Sequence, residues 1–162
     1  MTELVIIAAI SDNNVIGKDN KIPWNIPEDL KRFRKLTIYC PVIMGRKTYV
    51  SIIKHLREPL DKRINNVLTR RKNYKARNGV QVFSSLDDAI FNNWEHNKCY
   101  IIGGESVYEE ALPLTKYLEL TRVHKEVEGD AFFPKMDYRD WNLINSEPKK
   151  GCTFESYEKI ER

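Results

Sequence analysis

Residues 4–10, Leu-Val-Ile-Ile-Ala-Ala-Ile, are apolar at every position and partly β-branched. A strand with one wet face alternates apolar with polar residues, whereas a run without alternation belongs to a strand covered on both faces. Such strands occur in layered α/β folds, and this one constrains the rest of the chain to supply helices for both sides of a sheet.

Further short apolar runs at residues 41–45, 66–69, 80–83, 99–102 and 117–123 are separated by segments with helical spacing, a βαβ rhythm. Helices are predicted over 27–36, over 48–55, from the Ser85-x-x-Asp88 capping box to about residue 93, and over 106–112, with Pro113 ending the last. Beyond Pro134 the pattern changes to strands at 141–147 and 153–160, joined by Pro148-Lys149-Lys150-Gly151, a hairpin signal. The expected fold is therefore α/β: a single domain over 1–162 with a central, mainly parallel sheet of about eight strands, an antiparallel C-terminal edge and about four flanking helices.

Several function classes lose ground at once. The run at 4–10 has no basic leader and is too short to span a bilayer, so a soluble cytoplasmic protein without membrane partners is expected. Cys40, Cys99 and Cys152 are dispersed and odd in number, which reads as free, mostly buried thiols. His55, His96 and His124 show no metal or triad spacing, and no Gly-x-Ser-x-Gly elbow exists, so no metal site is expected. A net charge of +4 suits an anionic ligand without making a nucleic-acid footprint.

Three segments could carry chemistry. In Pro23-Trp24-Asn25-Ile26-Pro27-Glu28-Asp29-Leu30-Lys31-Arg32-Phe33, a Pro-rich turn enters a helix whose first turn holds two carboxylates. Dipole complementarity explains Glu28, while Asp29 lies one turn before Phe33, beside the apolar face marked by Leu30, Phe33 and Leu36. A carboxylate there has its pKa raised by desolvation and can bind an amidine-like group or supply a proton, although a plain helix cap is the simpler alternative. The second segment, Ile101-Ile102-Gly103-Gly104-Glu105-Ser106-Val107-Tyr108, runs from strand to diglycine to helix, which is either a tight turn or a cradle of backbone N–H groups for phosphate. Val42-Ile43-Met44-Gly45-Arg46-Lys47-Thr48 repeats the strand, glycine and helix-start pattern with two cations and a hydroxyl, and Thr69-Arg70-Arg71 adds charge near the same sheet edge. Third, residues 11–21 form a long polar segment containing Val15-Ile16-Gly17, either a lid or a flexible loop.

Taken in order, Ala8-Ala9, Val15-Ile16-Gly17, Ile22-Pro23-Trp24, Pro27-x-Asp29-Leu30-x-x-Phe33, Ile43-Met44-Gly45-Arg46-x-Thr48, Ile102-Gly103-Gly104 and Glu128-Gly129-Asp130-x-x-Phe133-Pro134 closely resemble the dihydrofolate reductase family over essentially the whole chain. The resemblance implies hydride transfer from NADPH to C6 of 7,8-dihydrofolate with protonation of N5 through water, yielding tetrahydrofolate for one-carbon metabolism. It implies Asp29 as the acid at the pterin ring, Thr121 as its hydrogen-bond partner and Ile22 as a lid residue. It also implies an apolar slot for substrate from Ile7, Ala8, Leu30, Phe33, Ile52, Leu60, Ile102 and Tyr108, with Arg63 pairing the substrate's α-carboxylate.

For the cofactor the resemblance implies Ala9, Ile16, Asn20 and Ile22 at the nicotinamide. Gly45, Arg46, Lys47 and Thr48, together with Gly103, Gly104, Glu105, Ser106, Val107 and Tyr108, take the pyrophosphate beside Ile102, and Leu68, Thr69 and Arg70 lie toward the adenosine. Arg46, Lys47 and Arg70 are candidates for the 2'-phosphate that selects NADPH over NADH. An adenosine-binding subdomain at about 40–112, a monomeric state, and inhibition by diaminopyrimidine and methotrexate-type antifolates complete the expectation. Two alternatives fit parts of the sequence. A pyrimidine reductase of riboflavin biosynthesis shares the fold but has no use for the Asp29 pattern, and a basic RNA-binding protein would need aromatics interleaved on a basic face.

Overall fold

A computed structural model describes all of residues 1–162. The apolar run becomes β1 (Glu3–Ser11), and the polar segment after it contains a short strand, β2 (Val15–Gly17). There follow α1 (Pro27–Thr37), β3 (Pro41–Gly45), α2 (Arg46–Leu56), β4 (Ile64–Leu68), β5 (Gln81–Phe83), α3 (Leu86–Asn92), β6 (Lys98–Gly103) and α4 (Glu105–Ala111). The chain then forms β7 (Tyr117–Val123), β8 (Ala131–Phe132), β9 (Trp141–Lys149) and β10 (Cys152–Lys159), with 3-10 turns at Leu112–Leu114 and Tyr138–Asp140.

Eight strands form one sheet in the order β5-β4-β3-β6-β1-β7-β10-β9, and β2 pairs separately with β8. The six strands from β5 to β7 are parallel, while β10 runs antiparallel to β7 and β9, which makes the expected antiparallel edge. The β9–β10 turn falls at Lys150 and Gly151, and Gly151 takes the positive φ that such a turn requires. Pro148 sits inside β9 on the sheet edge, where its missing N–H costs no ladder bond to a neighbour beyond.

Side chains of β1 divide between two cores, as a strand covered on both faces must. Leu4, Ile6, Ala8 and Ile10 pack with Leu86, Ala89, Val107, Tyr108 and Ala111 from α3 and α4. Val5 and Ile7 pack with Tyr49 of α2 and with the partly buried Phe33, Leu36, Ile52 and Ile53 of α1 and α2. The three cysteines are free, with Cys99 and Cys152 buried and Cys40 partly so. No helix is long and apolar enough to cross a membrane.

Helix starts depart slightly from the sequence expectation: α2 begins at Arg46 and α4 at Glu105, each directly after a glycine cap, because a glycine lets the strand turn without a spacer. α2 ends at Leu56, where Arg57 adopts a left-handed conformation. On the apolar face of α1, Phe33 and Leu36 pack inward, whereas Leu30 is 58% exposed and lies at the rim of that face.

Candidate active site

Parallel strands deliver their carboxyl ends to one edge of a sheet, where open α/β folds bind ligands. Here the register sets Gly45 beside Leu68, Met44 beside Gly103, and Ala9 beside Thr121, so the ends of β1, β3, β4, β6 and β7 meet there. Ile7 and Ala8 are buried, Ala9 and Ile102 half-buried, and α1 lies over β7 at this edge.

Asp29 sits in the first turn of α1, entered through Pro27, and its carboxylate accepts a hydrogen bond from Thr121 Oγ1 at 2.6 Å. Glu28 beside it is exposed, as dipole complementarity alone would have it. Burial raises the pKa of Asp29 above the ordinary carboxylate value, opposed by the Thr121 hydrogen bond and the Arg32 charge. Desolvation therefore wins over both stabilising partners, leaving a carboxyl group that exchanges its proton nearer neutrality than a surface acid does.

Tyr108 is fully enclosed; its hydroxyl donates to the Ile7 carbonyl at 2.8 Å and its ring packs on Phe133 at 5.3 Å. Burial, and secondarily the Asp29 charge, pushes its pKa well up, so it remains a neutral donor that ties α4 to β1. Trp24 Nε1 is buried and finds no acceptor in the protein.

The two strand-glycine-helix ends stand against each other. A Cβ on Gly45 would lie 3.3 Å from Val107 Cγ2 and about as far as 4.0 Å from Gly104 N, and one on Gly104 would lie 3.5 Å from Thr48 Oγ1. Gly103 has φ +119°, is joined to Gly104 by a cis peptide, and would bring a Cβ to 3.3 Å from the Tyr108 ring. Arg46 is half-buried, Lys47 and Arg70 are exposed, and Thr69 N donates to Phe83 O at 3.0 Å, fixing the start of the basic turn. Two facing helix starts stripped of side chains at their glycines, with cations at the rim, fit the pyrophosphate and phosphate groups of a dinucleotide. At the same helix start the Glu105 carboxylate accepts from Phe132 N at 2.6 Å and Ser106 is exposed.

The expected lid is more ordered than a loop. Asp19 N donates to Asp130 Oδ2 at 3.0 Å, Asp130 N to Gly17 O at 3.0 Å, and Asn13 exchanges hydrogen bonds with the backbone of Val127. Gly129 allows this approach, since a Cβ there would come within 2.1 Å of Val15 Cγ1. Ser51 Oγ of α2 donates to Asn20 O at 3.0 Å and so ties α2 to the segment after β2, while Ile16 packs on the core and Ile22 is 61% exposed. A hollow of about 640 Å³ between the lid and residues 126–132 contains none of the predicted site residues, and the chemistry lies elsewhere.

Arg63 has only 4% of its side chain exposed; it donates to Thr37 Oγ1 at 3.1 Å and to the Asp61 carbonyl at 2.8 Å, with its guanidinium 5.9 Å from the Phe33 ring. Leu60 is buried, Ile52 half-buried, and Asn65 clamps the turn between them and Arg63 by bonding both the N–H and the carbonyl of Leu60. Sequence reasoning missed Asn65, whose amide carries no motif, and missed Ser51 as a partner of Asn20 and the Glu105–Phe132 bond, because those partners lie more than twenty residues away along the chain.

A family model for dihydrofolate reductase matches residues 3–159. The chain is 40% identical over 141 residues to a dihydrofolate reductase of Bacillus subtilis, covering 87% of this chain and 81% of that one. It is 38% identical over 153 residues to that of Haemophilus influenzae, covering 94% and 92%. Among solved structures, a dihydrofolate reductase from Enterococcus faecalis complexed with NADP(H) and RAB-propyl superposes with a TM-score of 0.88 at 31% identity, over 98% of this chain and 97% of that one. With the fold, the half-buried acid and the paired glycine cradles in agreement, the chain belongs to the dihydrofolate reductase family.

Proposed function

We propose that this chain reduces 7,8-dihydrofolate to 5,6,7,8-tetrahydrofolate with NADPH as reductant, and that Asp29 governs the proton that reaches N5. NADPH, when bound, supplies the hydride for C6. The observation that carries the reading is the desolvated Asp29 carboxyl, held by Thr121 at the same sheet edge as the two glycine cradles.

A carboxylate with one oxygen engaged by Thr121 keeps lone pairs for the amino and ring N–H groups of a pterin, a pairing that orients the ring. Its pKa, raised by burial above the ordinary carboxylate value, makes it a better proton acceptor than a surface acid, which suits relaying a proton through water. Ile7, Ala8, Phe33, Ile52, Leu60 and Ile102 supply apolar walls for a flat ring, with Leu30 and Ile22 at the rim. Arg63 takes the substrate's α-carboxylate, its fork already aligned by Thr37 and Asp61. Closure over the ring is the task of the lid, which the Asp19–Asp130 and Ser51–Asn20 hydrogen bonds support.

Gly45, Thr48, Gly103 and Gly104 receive the pyrophosphate, and Arg46, Lys47 and Arg70 the 2'-phosphate; residues of about 40–112 then make the adenosine-binding half. Diaminopyrimidine and methotrexate-type antifolates, which present an amidine-like edge on a flat ring, compete for the same acid and slot. A monomeric working unit in the cytoplasm completes the proposal.

The test is loss of the NADPH absorbance on adding dihydrofolate, with wild type and Asp29→Asn compared across pH. Oxidation that Asp29→Asn lowers by about 10²-fold or more at neutral pH and regains in acid, where substrate arrives protonated, supports the reading. Binding of NADPH without any oxidation would overturn it and favour the pyrimidine reductase alternative.

A further inference from the structure

Behind Asp29, away from the cleft, lies a charged pair that the reaction as described does not use. Arg32, one turn along α1, bonds Glu119 of β7, and the same Glu119 oxygen accepts from Ser156 Oγ of β10 at 2.6 Å. Both charged side chains are largely enclosed, with 16% and 19% exposure. On β7 Thr121 and Glu119 share a face, and across to β10 Thr121 is registered with Phe154 and Glu119 with Ser156. The helix thus rests on two rungs, Asp29 on Thr121 and Arg32 on Glu119 with Ser156, while the Arg32 guanidinium also stacks 4.9 Å from the Phe154 ring.

We propose that Arg32, clamped by Glu119 and Ser156, is a positioning residue that acts through Asp29: it fixes α1 on β7 and sets the pH at which Asp29 takes up its proton. Packing alone does not explain the pair, since an apolar pair of similar volume joins a helix to a strand at least as well as a half-buried ion pair. What an apolar pair lacks is a permanent positive charge one helical turn from the acid, and that charge lowers the pKa that burial raises. Glu119 moderates the same charge. The other groups placed near Asp29 are uncharged: Thr121 of β7, Tyr108 of α4 and Cys152 of β10, while the adjacent Glu28 is exposed. On the far side of Arg32, Glu147 and Lys149 of β9 pair with each other, and Lys149 also caps the Phe154 ring at 6.0 Å.

The inference rests on the assignment of Asp29 as the acid of the site, and its test separates the two. The 13C carboxyl resonance of Asp29, assigned by its loss in Asp29→Asn, is titrated in the ligand-free protein for wild type, Arg32→Met, Arg32→Lys and Glu119→Gln. The expected midpoint moves to higher pH in Arg32→Met, to lower pH in Glu119→Gln, and stays near wild type in Arg32→Lys. Opposite signs are the signature of charge, because a helix that has merely shifted would move the midpoint the same way in both. Glu119→Gln is isosteric and keeps acceptors for Arg32 and Ser156, so the proposal remains testable should Arg32→Met fold poorly. Unmoved midpoints, or equal signs, overturn it. Where the midpoints move as expected but the pH profile of turnover does not follow, the coupling stands and the role of Asp29 in turnover falls.

Discussion

The two sides of the cleft are built on different physics. On the substrate side the acid is half-buried, bonded to Thr121 and backed by an enclosed ion pair, so its charge acts in a low-dielectric setting and its position is fixed before any ligand arrives. On the cofactor side the fixed parts are backbone, at Gly45, Gly103 and Gly104, while Lys47 and Arg70 lie in solvent and neither they nor Arg46 join any ion pair within the chain. A proton relay needs a tuned pKa and therefore burial; holding a polyanion needs donors and positive charge, which work at the surface.

That contrast can be broken most sharply at Arg63, which belongs to the fixed side although it binds a charge. Arg63→Ala should weaken dihydrofolate binding roughly 10- to 100-fold, the loss of about 1.5–3 kcal/mol expected for a charge-assisted pair, with turnover at saturation nearly kept. Equal losses in turnover and affinity, read from steady-state kinetics, would mean that Arg63 instead shapes the slot. On the exposed side, Lys47→Ala with Arg70→Ala should narrow the preference for NADPH over NADH by about tenfold and make the remainder less sensitive to salt. An unchanged preference would leave Arg46 or backbone donors as the selective groups.

Smaller effects sharpen the account of the buried acid. Thr121→Val removes the hydrogen bond that holds the charged form of Asp29, costs about 1 kcal/mol of folding stability, and moves the alkaline limb of turnover to higher pH. Stability should follow the sign of linkage. Because the folded pKa of Asp29 is raised, its contribution is fully present below the unfolded carboxyl pKa and is lost as pH rises through the folded value. Asp29→Asn is therefore expected to match wild type in acid and to exceed it at neutral pH in urea midpoints; a variant less stable at neutral pH would show that the carboxylate is better compensated than its burial implies.

Legibility in the sequence followed the range of each interaction. β1, β3, β6 and α1 were readable because unbroken apolar runs, helical spacing and Pro27 act within a few residues. The strand inside 11–21 was not, because β2 exists only through its pairing with β8, more than a hundred residues on. Spacing identified an apolar face on α1 but not what each member would meet: Phe33 and Leu36 pack inward while Leu30 lies at the rim. Arg63 was read for its fork, and only the fold revealed that Thr37 and Asp61 hold that fork in place.

By itself, then, the sequence determined the layered α/β class, the glycine-capped helix starts, and Asp29 as a carboxylate at the edge of an apolar face, all consequences of local sterics and periodicity. The Thr121 bond to Asp29 was implied by the family resemblance and is present; tertiary structure alone decided that Arg32 also opposes the cost of burying that acid, and that Glu119 and Ser156 hold Arg32 there. Those choices depend on the register of β7 against β1 and β10, and register is set by the packing of the whole sheet rather than by any one segment.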